Sequence, residues 1–385
     1  AWGRVDGSLW AQNVTVTKYN GASCYWQTSG TACPTTANVT PAQVNSNIVQ
    51  YYTQYGDQKY EERGGWLAWS KGFTGVLSSV QVGADYRQLT AQDSEKFYSP
   101  PVTLANPQNL NSTTYGEGKQ TFQGVFTQAK LVPVKPVEVT MSARYDTWRN
   151  SDRFITRTST TGVTTGGAVP ESEKSAVNPS VAVRYDATDW ASLRGAAYKS
   201  FRAPGFNNMI RTFGTGTSTT IANPDLAPET LRGWELGADF ASGPFALNAT
   251  YFVYDIGDMI ATYTVQANAA NIPTQVLRIC GPVTGGTFSN CNGASSVRYY
   301  TNDQDGRSSG FEVVGRWRAS REVTVNASYA YTDTVLTRRG SVVTDPLGVQ
   351  LAGVPKDVAA LGVAWVPVER LRTYAELRYV GPMNY

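Results

Sequence analysis

The sequence predicts an all-β chain: a transmembrane, up-and-down antiparallel β-barrel. Three observations predict it. Runs of residues alternate apolar and polar with a period of two, so apolar side chains share one face of each strand. The connectors between runs alternate strictly, long then short, as plain turns at one rim and elaborate loops at the other require. About thirteen such runs occur, most of them long enough to cross a bilayer when tilted, for which about 9–11 residues suffice.

Composition agrees. The chain has 385 residues, 33 basic and 30 acidic, a balance that demands no nucleic-acid partner. Gly (36), Tyr (22) and Trp (10) are abundant, and Thr, Val and Ser fill the runs, which favours strand over helix. The longest nearly apolar run, Val358 to Val368, is too short for a membrane-spanning helix, which needs about 20 residues. Mean hydropathy is slightly polar, as expected when only every second residue faces lipid. Ala1-Trp2-Gly3-Arg4 lacks the basic start and apolar core of a signal peptide. The pattern opens inside a strand, so the sequence is expected to be cut from a longer protein.

Ala1 to Thr17 is the first run, followed by a long connector from Lys18 to about Tyr60. About Glu61 to Ser70 turns near Gly72-Phe73-Thr74-Gly75 into Val76 to Leu89, where Val80, Val82, Ala84 and Tyr86 oppose Ser79, Gln81, Gly83 and Asp85. A second long connector spans Thr90 to about Tyr115. The next hairpin runs from about Lys119 to Leu131, turns at Pro133 to Pro136, and returns through Val137 to Trp148. There Val137, Val139, Met141, Ala143 and Tyr145 alternate with Glu138, Thr140, Ser142, Arg144 and Asp146. A connector from about Arg149 to Glu173 leads to Val177 to Tyr185, a turn at Asp186 to Asp189, and Trp190 to Arg202.

After a central loop comes the run ending at Phe240, a turn at Ser242-Gly243-Pro244, and Phe245 to Asp255. The longest late connector reaches from about Asp258 to Arg298. Phe311 to Arg318 turns at Ala319 to Arg321 into Val323 to Tyr331, and a final pair, Ala359 to Val366 and Leu371 to Tyr379, joins at Pro367 to Arg370. Trp66, Trp69, Trp190, Trp317 and Trp365 lie near the short turns and are expected to form an aromatic girdle at one interface.

Four cysteines fall in two local pairs, Cys24 with Cys33 and Cys280 with Cys291. Each pair sits within one Gly/Thr/Ser-rich segment, so local disulfides are expected, and with them an oxidising compartment. The spacings, without any histidine, are poor for zinc. The absence of histidine also removes Ser-His-Asp and Cys-His nucleophiles. No Walker loop or G-x-S-x-G elbow occurs, and no carboxylate pair can be singled out for glycoside hydrolysis. The chain is expected not to be an enzyme, and no cofactor or metal is implied. Asp303-Gln304-Asp305-Gly306 with Glu312 matches the later part of an EF-hand loop, but Thr301 stands where the first aspartate belongs and the flanks read as strand. A surface turn is the expectation there.

The long connectors carry aromatic and Arg side chains suited to bulky anionic or aromatic ligands. Tyr25, Trp26, Trp148, Arg153, Phe206, Arg211 and Phe213 are the candidate ligand contacts. Loop-to-loop packing is the competing reading for them.

The most specific stretch is Tyr198 to Phe240. Phe201-Arg202-Ala203-Pro204 ends a strand, because proline offers no ladder donor. Asn223-Pro224-Asp225-Leu226-Ala227-Pro228-Glu229 is a rigid re-entry with turn chemistry at both prolines. Trp234, Leu236, Ala238 and Phe240 then alternate with Glu235, Gly237 and Asp239. These motifs, in this order, resemble the barrel of TonB-dependent outer-membrane receptors, where an FRAP-like strand end and an NPDL-P-E re-entry flank one long extracellular loop. Tyr251 to Ile260 and Val354-Pro355-Lys356-Asp357 are similar to further family pieces.

The resemblance implies a twenty-two-stranded barrel filled by an N-terminal plug, with short periplasmic turns and long extracellular loops in the Gram-negative outer membrane. Residues 1–385 would be a partial barrel domain of about thirteen strands, with plug and last strands absent. The resemblance further implies active uptake of a scarce nutrient, energised by the TonB-ExbB-ExbD complex through the missing N-terminal part. Haem receptors of this type often use a histidine in the central loop, and Gly205 to Ala222 contain none. That lowers the haem option, and by family frequency the resemblance implies a ferric siderophore as the expected ligand, with cobalamin or a glycan next. The rival classes are a passive porin and a soluble β-rich adhesin. Phe201, Arg202, Pro204, Asn223, Pro224, Leu226, Pro228 and Glu229 are expected to shape the backbone rather than touch ligand. The remaining partner is outer-membrane lipid, with no nucleic acid.

Overall fold

A computed structural model describes residues 2–25, 48–98, 109–340 and 346–384. In chain order the first strands are β1 (Arg4–Tyr25), β2 (Ile48–Gly72), β3 (Leu77–Tyr98), β4 (Leu110–Val134) and β5 (Val137–Ser159). A short β6 (Thr164–Val169) precedes β7 (Ser172–Thr188) and β8 (Ala191–Arg202). The central loop holds helix α1 (Phe206–Met209) and the two-residue β9 (Thr220–Ile221). Next come β10 (Glu229–Ser242) and β11 (Phe245–Gln266), then a second loop with α2 (Thr274–Cys280), β12 (Val283–Thr284) and β13 (Thr287–Phe288). The chain continues through β14 (Ser296–Arg318), β15 (Val323–Arg338), β16 (Asp357–Val368) and β17 (Leu371–Val380).

The thirteen long strands form one sheet in the order β1-β2-β3-β4-β5-β7-β8-β10-β11-β14-β15-β16-β17. Each pairs antiparallel with the next long strand in the chain, so the topology is up-and-down. The two ends of this path, β1 and β17, are not paired with each other among the described residues, and the sheet is open rather than closed. Short turns join β2 to β3, β4 to β5, β7 to β8, β10 to β11, β14 to β15 and β16 to β17 at one end. The long connections lie at the other end.

Among the described residues no second sheet covers the apolar face. Met141, Tyr145, Val177, Val183, Leu193 and Leu236 are all exposed. The register puts Tyr145 opposite Val177 and Leu236 opposite Gly195, so apolar residues form continuous rows across strands. On β5 this band runs from Val137 to Tyr145, nine positions, which fits a tilted transmembrane strand. Beyond it the same face carries Arg149, paired with Glu171.

The opposite, inner face is the one on which both long loops pack, and within the band it is charged. Arg144 forks onto Asp85 at 2.6 and 3.0 Å and also reaches Asp146. Tyr198 and Tyr254 both donate to Glu235. Such pairing satisfies charges beside lipid-level backbone.

Three expectations need correction. The ladders extend far into the stretches read as connectors: β2 begins at Ile48, β3 continues to Tyr98, β5 to Ser159, β11 to Gln266, and β14 begins at Ser296. Beyond the bilayer both faces can be polar, so alternation of polarity vanishes while backbone pairing continues. Trp66 leaves the expected girdle. It pairs with Asp85 while Trp69 pairs with Val82, and three residues apart on a strand means opposite faces. Trp317 and Trp365 do lie exposed on the apolar face, Trp317 stacking on Phe245 at 5.9 Å. Asp303 to Gly306 is no surface turn but lies within β14, where Asp305 pairs with Arg338.

A bulge on β5 resets which of its side chains point inward. Between Lys119–Ser151 and Glu117–Phe154 the ladder gains one residue on β5, and Asp152 takes a left-handed φ of 51°. Before it Asp146, Trp148 and Asn150 are buried, with Ser151 at the bulge itself; after it Arg153, Ile155, Arg157 and Ser159 are.

Candidate functional site

Residues 203–228 and 267–295 fold back over the inner face at the loop end. Trp148 and Ile155 of β5 pack with Phe206, Met209 and Ile210 of the first loop and Ile279 and Phe288 of the second in one buried cluster. Hydrophobic burial therefore fixes both loops to the strands.

The first loop rests on two glycines of β4. A Cβ at Gly116 would stand 2.2 Å from the Ile210 carbonyl oxygen, and one at Gly118 would meet Phe206, Arg153 and Ile210 at 3.3–3.4 Å. Gln120, two residues on, donates to the Pro204 carbonyl and to Asn150, each at 3.0 Å. Arg153 donates to the carbonyls of Pro224 and Pro170, and burial pulls its pKa down. Trp148 is buried, with its indole N–H unpartnered among the described residues. Trp148, Arg153 and Phe206 thus share one packed group.

Arg211 and Phe213 form a second group. The Arg211 guanidinium lies 4.3 Å from the Phe213 ring centroid. Its Nε and Nη2 donate to Glu95 Oε1 at 3.1 and 2.9 Å, and Nη1 donates to Asn207. Asp93 stands 3.8 Å away. Gln54 donates to Glu95 and Gln58 to Asp93. Both carboxylates are buried, which pushes the Asp93 carboxyl up to about 6, with the neighbouring Glu95 charge adding to the burial effect. Burial, then Asp93, raises the Tyr60 hydroxyl. The outward neighbours Gln92, Ser94 and Lys96 are polar, so this group lies beyond the apolar band. Phe213 is only half-buried and remains the most open of the candidates in this loop.

The re-entry motif closes the loop. Asn223 accepts from the Asp225 N–H at 3.0 Å, an Asx turn, and donates to the Tyr300 carbonyl at 2.9 Å. Pro204, Pro224 and Leu226 are buried, while Phe201 and Pro228 are half-buried. Arg202 and Glu229 face each other across β8 and β10 as an ion pair, and Glu229 also accepts from the Ile260 N–H at 2.8 Å.

The second loop is closed by the expected Cys280–Cys291 disulfide, Cα atoms 4.8 Å apart. Gly285 and Gly286, both at positive φ, form the tip of its β12–β13 hairpin. Asn290 fastens it to β5 by donating to the Arg157 carbonyl at 3.1 Å. Tyr25 ends β1 opposite Ile48. Trp26 and the expected Cys24–Cys33 bond lie outside the described residues.

Long up-and-down strands, apolar outside and charged inside, with loops folded in over the inner face at one end, define an outer-membrane β-barrel. Residues 3–385 match the family described as TonB dependent receptor-like, beta-barrel, and the chain belongs to that family. It is 28% identical over 193 residues to the Iron-regulated outer membrane virulence protein of Vibrio cholerae, covering 49% of this chain and 26% of that protein. It is 24% identical over 244 residues to the Heme/hemopexin utilization protein C of Haemophilus influenzae, covering 59% and 28%. Among solved structures it is similar to the ferric yersiniabactin uptake receptor FyuA from Yersinia pestis (TM-score 0.61, 13% identity, 87% of this chain and 46% of that one). It is also similar to the Copper transporter OprC (TM-score 0.64, 13% identity, 98% and 49%). The chain spans about half the length of these solved relatives, which at such identity share its fold.

Proposed function

We propose that the protein containing this chain is a TonB-energised receptor that imports a scarce iron complex, a ferric siderophore, across the outer membrane. The supporting observation is the Arg211–Phe213 pair. The half-buried Phe213 ring, at the loop end and beyond the apolar band, offers a flat surface to a ring-bearing chelate, and Arg211, buried and paired with Glu95, fixes that ring in place. In this reading Phe213 meets the ligand, and Arg211, clasped to Glu95, positions the ring. Trp148, Arg153 and Phe206 hold the loop beneath them, and the two proline motifs shape its ends. The proposed energy source is the TonB-ExbB-ExbD complex, whose contacts belong to parts of the receptor beyond this barrel segment.

A second reading, haem uptake, is favoured by the Haemophilus influenzae relative's name; the lack of histidine in this chain weighs against it. Growth of a deletion strain under iron limitation separates them. Loss of growth on a ferric siderophore alone supports the proposal, and loss on haemin alone replaces it with the second reading. Uptake that continues without TonB points to a passive channel.

A further inference from the structure

Arg157 lies near the end of β5, past the Asp152 bulge, and none of its surface reaches solvent. Its Nε donates to the Asn290 carbonyl at 3.2 Å. Nη1 and Nη2 find no acceptor among the described residues. A guanidinium does not give up its proton in a protein, so this buried charge needs a counter-charge. Two other inner-face arginines have one, Arg211 with Glu95 and Arg144 with Asp85, while Arg153 spends its Nη groups on two carbonyls. Arg157 has none among the described residues. Burial alone shifts it, down to about 10, with no carboxylate acting against that shift. Outside the described residues the only Asp or Glu is Asp345.

Its cross-strand neighbour on β4 is Thr114. That residue is also buried, and its hydroxyl is also without a partner among the described residues. The two NH2 groups of the guanidinium and the hydroxyl of its cross-strand neighbour are therefore left idle beneath the disulfide loop, where Ile279, Cys280, Phe288 and Cys291 are completely buried. Idle donors around an uncompensated positive charge are the chemistry of an anion site. Enclosure by the loop limits the occupant's size and separates it from any transported ligand. We propose that Arg157 and Thr114 bind a small halide-like anion, sealed in by the Cys280–Cys291 loop, which neutralises β5 where that loop docks.

The test uses the full-length receptor in detergent, with sodium chloride exchanged for sodium gluconate at constant ionic strength. Gluconate is too bulky for an enclosed site. The expected result is an unfolding temperature that rises saturably with chloride. Arg157→Gln should abolish the dependence, and Thr114→Val should raise the half-saturating chloride several-fold. Should Arg157→Gln not fold, the wild type and Thr114→Val carry the comparison. A bromide soak should place anomalous density beside the guanidinium. Equal unfolding temperatures in both salts, or undiminished dependence in Arg157→Gln, would overturn the proposal; either would leave buried water as the partner.

Discussion

Arg211, in the loop between β8 and β10, donates at 2.9 Å to Glu95, a completely buried carboxylate on β3. The two are 116 positions apart in sequence. This contact clasps the central loop to a part of the sheet that is distant in the chain, with Asp93 as an extra negative charge beside it.

Removing the cation should therefore open the clasp. Arg211→Ala leaves two buried carboxylates without their counter-charge, a loss of ~3–5 kcal/mol for a buried pair. Amide hydrogen exchange in residues 203–228 should rise sharply while the β4–β5 ladder stays protected. Unchanged protection would mean that apolar packing alone holds the loop.

The clasp should also depend on pH. Asp93 titrates at about 6 in the folded state against 3.8 as a free side chain. The folded state thus holds the proton more tightly. The resulting stabilisation is fully present below about pH 3.8 and is lost as pH rises through about 6, roughly 3 kcal/mol in all. Loop protection should be greater at pH 5 than at pH 7.5, and Asp93→Asn should flatten that slope. A slope of opposite sign in the wild type would refute the assignment.

The glycine seat gives a graded test. Gly116→Ala puts a methyl 2.2 Å from a backbone oxygen, which must move, whereas Gly118→Ala meets its neighbours at 3.3–3.4 Å. Gly116→Ala should unseat the central loop, read as faster amide exchange in residues 203–228, and Gly118→Ala should do much less. Equal effects would show that the loop does not rest on Gly116.

Opening the Cys280–Cys291 loop by replacing both cysteines with alanine should cost about 3 kcal/mol. Faster exchange should appear in residues 267–295 and leave β11 and β14 intact. If exchange there is unaltered, Asn290 and the apolar cluster suffice to hold the loop.

The two faces can be told apart by charge. Met141 is exposed on the apolar face and Thr140 lies on the other. Met141→Arg should cost ~2–4 kcal/mol near mid-bilayer and lower assembled receptor in outer-membrane fractions. Thr140→Arg should be tolerated. The reverse order would invert the sheet.

Sequence alone revealed the membrane band, because lipid on one side and water on the other impose a rhythm that Val137 to Tyr145 displays in full. It also revealed the short turns and the second cysteine pair. It concealed the strands beyond the bilayer, where Asp93 and Glu95 fell in a stretch read as loop. Their burial depends on Arg211, which arrives more than a hundred residues later. Trp66 misled because nearness to a turn says nothing about which face a side chain takes. Gly116 and Gly118 gave no signal, since their role appears only when another segment sits on them.

Asp152 is the residue that the β4–β5 ladder leaves out. Kept but drawn into the ladder, it would shift every later β5 side chain by one position, turning Arg153, Ile155 and Arg157 outward and bringing Phe154 and Thr156 in. Deleting it would instead leave those three inward on an unbroken strand, so the anchors of both loops survive the loss of the bulge but not its straightening.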